Sequence, residues 1–572
     1  MAWTRSLSHC AVVVTLLLAA PLALAGPGQH AVATAHPAAT AAGEEVLRQG
    51  GNAFDAAVAI TAALGVAEPY GSGLGGGGFF LLHQAASGRS TMVDARETAP
   101  AAADRDMYLD AEGEVIDGLS LDGALAAGIP GMPAGMDHIA REYGQLSLAD
   151  SLAPAIRLAE EGVALGPRYQ QMAGFRHQAL RDGADARTIF LEAGQVPEPG
   201  ATLRQPDLAA TLRRLADAGR DGFYTGELAE RLVSGVREAG GIWTLEDLAG
   251  YTVVEREPIR LEYRDAQIIT ASPPSSGGVA LGQILNILAF YDLDALAPDM
   301  RVHLIIEAMR RAYRDRAEYL GDPDHVDMPL ERLLSREYAA GLRATIHPDT
   351  ATPSRYLPLS VDPQAELPGT PRRESRETTH FSVIDAEGNR VAATLTLNYP
   401  FGAGYVVPGT GVLLNNEMDD FSAKPGAPNA YGLIGFEANA IAPQRRPLSS
   451  MSPTFVETGD RVAILGTPGG SRIITMVLHG LLGVIEGESA ADVVAAPRYH
   501  HQYLPDRVEH ETGAFGAELR GQLVARGHQL VPQVRPFGDM HAVLWERDSN
   551  RLEAASDPRG EGEARVFRGA SD

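Results

Sequence analysis

Cysteine is almost absent from this 572-residue chain, and its single copy, Cys10, lies inside an N-terminal apolar run. A chain that has lost that run therefore has no disulfide scaffold, cysteine nucleophile or thiolate metal site. Basic residues are also scarce. With 48 of them against 73 acidic ones, the formal charge of −25 repels nucleic acid and anionic membrane surfaces. The acidic excess is spread along the chain, which reads as a solvated surface and not an interaction tail. There is no P-loop, and the glycine-rich stretch Gly73–Gly78 precedes a strand pattern instead of opening a helix after one, so no dinucleotide fingerprint is present. Of sixteen histidines only His500 and His501 are adjacent, and no H-E-x-x-H or comparable cluster accompanies them. Neither a metal nor a cofactor is expected.

What is present is an ordinary globular composition, 45% hydrophobic and 21% charged. The length suits one large enzyme fold or two to four modest domains. The first 25 residues stand apart. Arg5 supplies a positive start, Ala11 to Leu24 is nearly all apolar, and Ala23-Leu24-Ala25 places small residues where a peptidase cuts. This is the pattern of a secretory signal peptide. A membrane anchor fits less well, because the run is short and ends in Pro/Gly/His-rich sequence. The remaining chain is expected in the periplasm or outside the cell.

Periodicity predicts helices over Ala39–Gln49 and Ala53–Val66, then a strand at Gly78–His83. Helix dominates from about residue 149 to 315, at Leu152–Glu161, Leu208–Ala218 and Val279–Phe290, broken by an extended Pro/Ser/Gly piece at Thr270–Gly278. Residues 348–376 are Pro-, Ser- and charge-rich and read as an exposed connector. Beyond it, strands are predicted at Gly411–Leu414, Thr454–Glu457, Val462–Leu465 and Ala542–Glu546, and helices at Arg472–Ile485 and Ala514–Arg526. No fixed-period repeat is visible. The mixture points to an α/β or α+β layered fold with strands at the centre.

His380–Asp385 and Arg390–Leu397 form a predicted hairpin around Ala386-Glu387-Gly388-Asn389. If Asp385 and Arg390 close the turn, Thr378 falls beside Leu397 and within diagonal reach of Thr396 and Asn398. On the hairpin alone, these threonines could equally be strand formers.

Glu377-Thr378-Thr379-His380-Phe381-Ser382 resembles the processing site of γ-glutamyltransferases, members of the N-terminal-nucleophile hydrolases. Seven further motifs resemble that family in the family's order: residues 50–57, Leu74–Phe79, Asp94-Ala95-Arg96-Glu97, Pro273–Gly278, Asn415–Phe421, Arg446–Pro453 and Pro468-Gly469-Gly470-Ser471. The likeness covers about residues 31–559.

The resemblance implies a four-layer αββα sandwich, α+β in class, with two subunits cut from one chain as a heterodimer. Residues 26–377 would form the large subunit and 378–572 the small catalytic one. The Thr378 hydroxyl would attack the Glu377 carbonyl, and the freed α-amine would serve as base for the threonine, whose hydroxyl is otherwise a poor nucleophile. Thr396 would hold Thr378 in its reactive rotamer. Arg96 would bind a substrate α-carboxylate, which its guanidinium fork matches. Asp420 would accept the α-ammonium with Asn398 and Glu417 assisting, while Ser449 and Ser450 would contact the carboxylate. Gly469 and Gly470 would supply oxyanion-binding N–H groups, and the loop 421–436, with Tyr431, would cover the site. Implied donors are glutathione and other γ-glutamyl compounds, and implied acceptors are amino acids, dipeptides and water. Taken alone, Arg96 could be a surface ion pair with Asp94 or Glu97, and Asp419-Asp420 a turn. Two departures fall at the cleft: Tyr399-Pro400 follows Asn398, and Glu417 replaces the glutamine of some bacterial members. They bear on acceptor preference. A glutaryl or cephalosporin acylase of the same superfamily is the alternative activity.

Overall fold

The computed structural model describes residues 26–359, 378–535 and 537–569. Residues 1–25, where a signal peptide is expected, and residues 360–377, which include Glu377 and most of the expected connector, lie outside them.

Alternating apolar residues set the architecture, because successive strand side chains face opposite ways. In β1 (His30–Thr34), Ala31 and Ala33 face a second sheet while Val32 faces helices. β2 (Gly77–Gln84) repeats this, with Phe79 and Leu81 on one side and Phe80 and Leu82 on the other. Both faces are apolar, so both must be covered.

The other strands of the two large sheets are β3 (Arg89–Ala95), β4 (Val254–Arg256), β5 (Ile259–Tyr263), β6 (Ala266–Thr270), β7 (Thr379–Ile384), β8 (Arg390–Thr396), β9 (Thr454–Glu457), β10 (Arg461–Gly466), β11 (His541–Glu546), β12 (Arg551–Ser556) and β13 (Glu563–Phe567). They form a seven-stranded sheet, β13-β1-β7-β8-β2-β3-β4, packed face to face on a six-stranded one, β12-β11-β10-β9-β6-β5. Outside the first lie α1 (Pro37–Arg48), α2 (Ala53–Ala67), α3 (Met132–Tyr143) and α4 (Leu148–Glu161). Outside the second lie α5 (Gly277–Leu288), α6 (Pro298–Tyr319), which packs on α5, and α7 (Ile473–Ile485). The expected αββα sandwich is therefore the observed one. No helix of the described residues is long and apolar enough to cross a membrane.

The motif at residues 50–57 proves to be a helix start. Asn52 accepts from the N–H groups of Phe54 and Asp55, Asp55 accepts from Asn52 N–H, and Asp385 from the hairpin turn accepts from Ala53 N–H at 3.0 Å. This capping box ties α2 to the β7–β8 hairpin.

Two expectations change. Leu395 faces Thr379 and Arg390 faces Ile384, one residue away from the expected register. Asp385 pairs with Asn389, not Arg390, around a three-residue loop ending in Gly388 at φ 94°. Carried one residue further, the register sets Thr378 against Thr396. Residues 411–414 do not form a strand. Gly409 and Gly411, both at φ 67°, turn the chain sharply, and only single bridges remain, Leu414 to Gly75 and Leu413 to Val406.

Candidate active site

Thr378 immediately precedes β7, an inner strand of the seven-stranded sheet, and is 8% exposed. Its Oγ1 lies 3.4 Å from Thr396 Oγ1, which also accepts from Asn398 N–H at 2.7 Å. Asn398, at φ 73°, turns the chain away from β8, a conformation asparagine tolerates, and its amide donates to Asn416 C=O. Thr378 itself has φ 129°, a region that costs a β-branched residue about 1–3 kcal/mol. Behind it, Thr379 donates to the buried Glu68, whose carboxyl burial pushes upward.

Arg96 extends from the end of β3 and is 1% exposed, so it is no surface pair. Its Nη1 lies 2.7 Å from Glu417 and 3.6 Å from Glu97, and its Nη2 lies 2.5 Å from Asp420. Burial pushes Glu97 up to about 8, against the pull of Arg96, and raises Glu417 as well. The adjacent aspartates divide their work. Asp420 meets Arg96, whereas Asp419 accepts from Ser120 Oγ and from Ala430 N–H.

Two of the remaining motifs join across the floor of the cleft. Ser449 N–H donates to Pro274 C=O, Ser276 N–H and Oγ both donate to Ser449 C=O, and Ser275 Oγ donates to Met451 C=O. The Pro273–Gly278 turn thus fixes Ser449 and Ser450. Gly469 and Gly470 have φ 136° and 55°, and a Cβ on Gly470 would collide with the Tyr431 ring. Tyr431 reaches over the site and donates from its hydroxyl to Asn398 C=O at 2.5 Å. The cover is pinned further by Asn429, which accepts from Tyr431 and Leu433 N–H.

One cleft is lined by Thr378, Thr396, Asn398, Arg96, Glu417, Asp420, Tyr431, Ser449, Ser450 and Gly470. Of the expected site residues, only Gly469 falls outside that lining, one position back, while Glu377 is not among the described residues.

A family profile described as gamma-glutamyltranspeptidase matches residues 39–567. The chain belongs to the γ-glutamyltranspeptidase family. Among its relatives, the glutathione hydrolase proenzyme of Pseudomonas sp. (strain A14) is 44% identical over 95% of this chain and 94% of that one. The Escherichia coli (strain K12) protein of the same description is 42% identical over 93% and 90%. Among solved structures, cephalosporin acylase from Bacillus halodurans superposes with a TM-score of 0.81 at 27% identity, covering 99% of each chain. Helicobacter pylori gamma-glutamyltranspeptidase matches with a TM-score of 0.56 and 41% identity over 58% of this chain and 96% of that one.

Sequence reasoning missed several residues that line the cleft in this family member: Arg316, Leu433, Met451, Ser471 and Ile473. Arg316 shares α6 with Arg310, Arg311 and Arg314, but at about 100° per residue it projects from nearly the opposite side of the helix. Periodicity sets it apart from its neighbours without saying what it faces. The described residues also contain one group with metal-like composition, His303, Glu307 and His528. Within it the two rings bond each other at 2.8 Å, and Glu307 is bound by Arg310 and Arg311. The cationic surroundings disfavour a metal ion.

Proposed function

We propose that this chain loses residues 1–25 on export and cuts itself between Glu377 and Thr378. The resulting heterodimer then moves γ-glutamyl groups from glutathione and related donors, through an ester on Thr378, to amino acids, dipeptides or water. The observation that carries this reading is the cleft itself, where Thr378 Oγ1 shares one cavity with the Arg96–Asp420 ion pair, Ser449–Ser450 and Gly470.

In the proposed reaction, Thr378 Oγ attacks the donor's γ-carbonyl carbon while the α-amine takes the hydroxyl proton. The amide C–N bond then breaks, and that proton leaves with the departing amine. Water or an acceptor amine next attacks the ester and restores the threonine O–H. Gly470, in the cleft lining, would offer its N–H to the transient oxyanion. A γ-glutamyl donor is a zwitterion at its α-carbon, so its carboxylate replaces Asp420 on Arg96 and its ammonium replaces Arg96 on Asp420. The existing ion pair thus prefigures both contacts. The positive φ of Thr378 favours maturation, since the strain ends when the preceding bond is cut.

Thr378→Ala should remain one uncut, inactive chain, whereas the wild type yields two bands on a denaturing gel. The small fragment should begin Thr-Thr-His-Phe. A fully active but uncut wild type overturns the mechanism.

The likeness to a cephalosporin acylase, together with a 36% identical acylase proenzyme from Pseudomonas sp. (strain V22), favours a second reading, glutaryl-type acylase activity. A glutaryl group has no ammonium, so Asp420 beside Arg96 speaks for the γ-glutamyl substrate. Comparing turnover of γ-glutamyl and glutaryl anilides separates the two.

A further inference from the structure

Arg316 differs from the other arginines of α6. Arg310 pairs with Glu307 and Asp506, Arg311 with Glu307, and Arg314 with Asp315. Arg316 is 5% exposed and forms no ion pair with any carboxylate of the described residues. It donates instead to two hydroxyls, from Nε to Ser276 Oγ at 3.0 Å and from Nη2 to Ser450 Oγ at 3.3 Å. An unpaired buried guanidinium is costly unless something charged arrives to meet it.

The cleft therefore has two unlike poles. Around Arg96, one guanidinium faces three carboxyl groups, Glu97, Glu417 and Asp420. Around Arg316, one guanidinium hydrogen-bonds only to serine hydroxyls and feels Asp420 without pairing to it. The hydroxyl geometry adds direction. Ser276 Oγ donates to Ser449 C=O, so its lone pair is what Arg316 Nε uses. Ser450 Oγ accepts from Arg316, and Ser449 Oγ accepts from Met451 N–H at 3.1 Å, which leaves each O–H proton free to point into the cleft.

We propose that Arg316 is a specificity residue for the donor's α-carboxylate, making the Ser449–Ser450 pole electropositive and turning the Ser450 hydroxyl toward the substrate as a donor. This rests on the reading that the two serines meet that carboxylate, and it adds a second cation to Arg96, whose charge is already matched by Asp420. Arg316 needs no contact with the reacting carbonyl.

The test measures competitive inhibition of γ-glutamyl anilide turnover by L-glutamate and by isoglutamine, its neutral α-carboxamide, with the processed enzyme. Arg316→Met should raise the inhibition constant of L-glutamate about 10- to 100-fold and that of isoglutamine less than about threefold. Arg316→Lys, which keeps the charge, should recover part of the difference. Equal weakening of both inhibitors, or weakening of neither, overturns the proposal. Should Arg316→Met fail to mature, Arg316→Lys and Arg316→Gln are compared with the same pair of inhibitors, and the same outcomes decide. A wild-type enzyme that binds isoglutamine as tightly as L-glutamate overturns instead the assignment of the two serines to the carboxylate.

Discussion

Asp420 offers two carboxylate oxygens to a cleft whose other carboxyl groups are fully enclosed, since Glu97 and Glu417 are each 0% exposed. That difference gives it a separate task. Glu97 and Glu417 are held up by burial and share Arg96, so they keep the guanidinium in place, while the partly open Asp420 can exchange Arg96 for an incoming ammonium. Asp420→Asn should therefore lower kcat/KM for a γ-glutamyl anilide by about 10- to 1000-fold and affect a glutaryl anilide much less. Equal losses on both substrates would show that Asp420 does not meet an ammonium. Arg96→Ala should do more damage, because it strands two buried carboxyls without a counter-ion. A stability loss of about 3–5 kcal/mol is expected alongside lost turnover, and thermal unfolding checks it. Arg96→Lys should rescue stability better than activity, since one ammonium cannot span Glu417 and Asp420 as the two Nη atoms do.

Among the contacts that hold the cover over the nucleophile, one joins two elements through a glycine, the Tyr431 ring lying on Gly470. Gly470→Ala should push the ring away and force alanine into a left-handed backbone at φ 55°, lowering kcat/KM about tenfold or more while the chain still cuts itself. Adding Tyr431→Ala should restore room without restoring the cover, so the double variant stays impaired; full recovery would mean the cover is dispensable. At this scale the sequence was legible wherever periodicity and turn chemistry agree. The α1–α2 pair, the β7–β8 hairpin and α7 lie where the pattern puts them. The hairpin register slipped by one, because Asp385 uses its side chain to accept from Glu387 and Asn389 N–H and so belongs to the loop. The false strand at 411–414 had apolar residues in sequence but glycines that bend its flanks. Arg316 was invisible for another reason: whether a helix arginine has a carboxylate partner is decided by tertiary placement, which composition does not encode.

Across the whole molecule, the histidines are mostly buried and neutral, and this couples the sandwich to pH. Burial pushes His500, His528 and His541 down to about 3 and His83, His479 and His501 to about 4, and it lowers His380 strongly as well. His380 and His541 sit on β7 and β11, facing strands of the two sheets, so their charging would open the interior. The sign follows from proton counting. Between the depressed folded values and the ordinary value of about 6.5, the unfolded chain binds protons that the folded one refuses, so stability rises with pH through that window and is lost as pH falls. Buried carboxyls act oppositely. Burial raises Asp385 to about 6 and Glu97 to about 8, and it also raises Glu68, Glu417 and Asp539, so the folded state holds their protons and gains from acid. Seven strongly lowered histidines outnumber these five carboxyls, and the net slope is therefore set by the histidines. The unfolding temperature of the processed protein should be nearly level from pH 8 to about 6.5 and fall progressively toward pH 4. Calorimetry across that range checks this, and His541→Gln should flatten part of the fall if it keeps the fold. An unfolding temperature that stays level or rises between pH 6.5 and 4 would mean that the buried carboxyls, and not the histidines, govern the acid response.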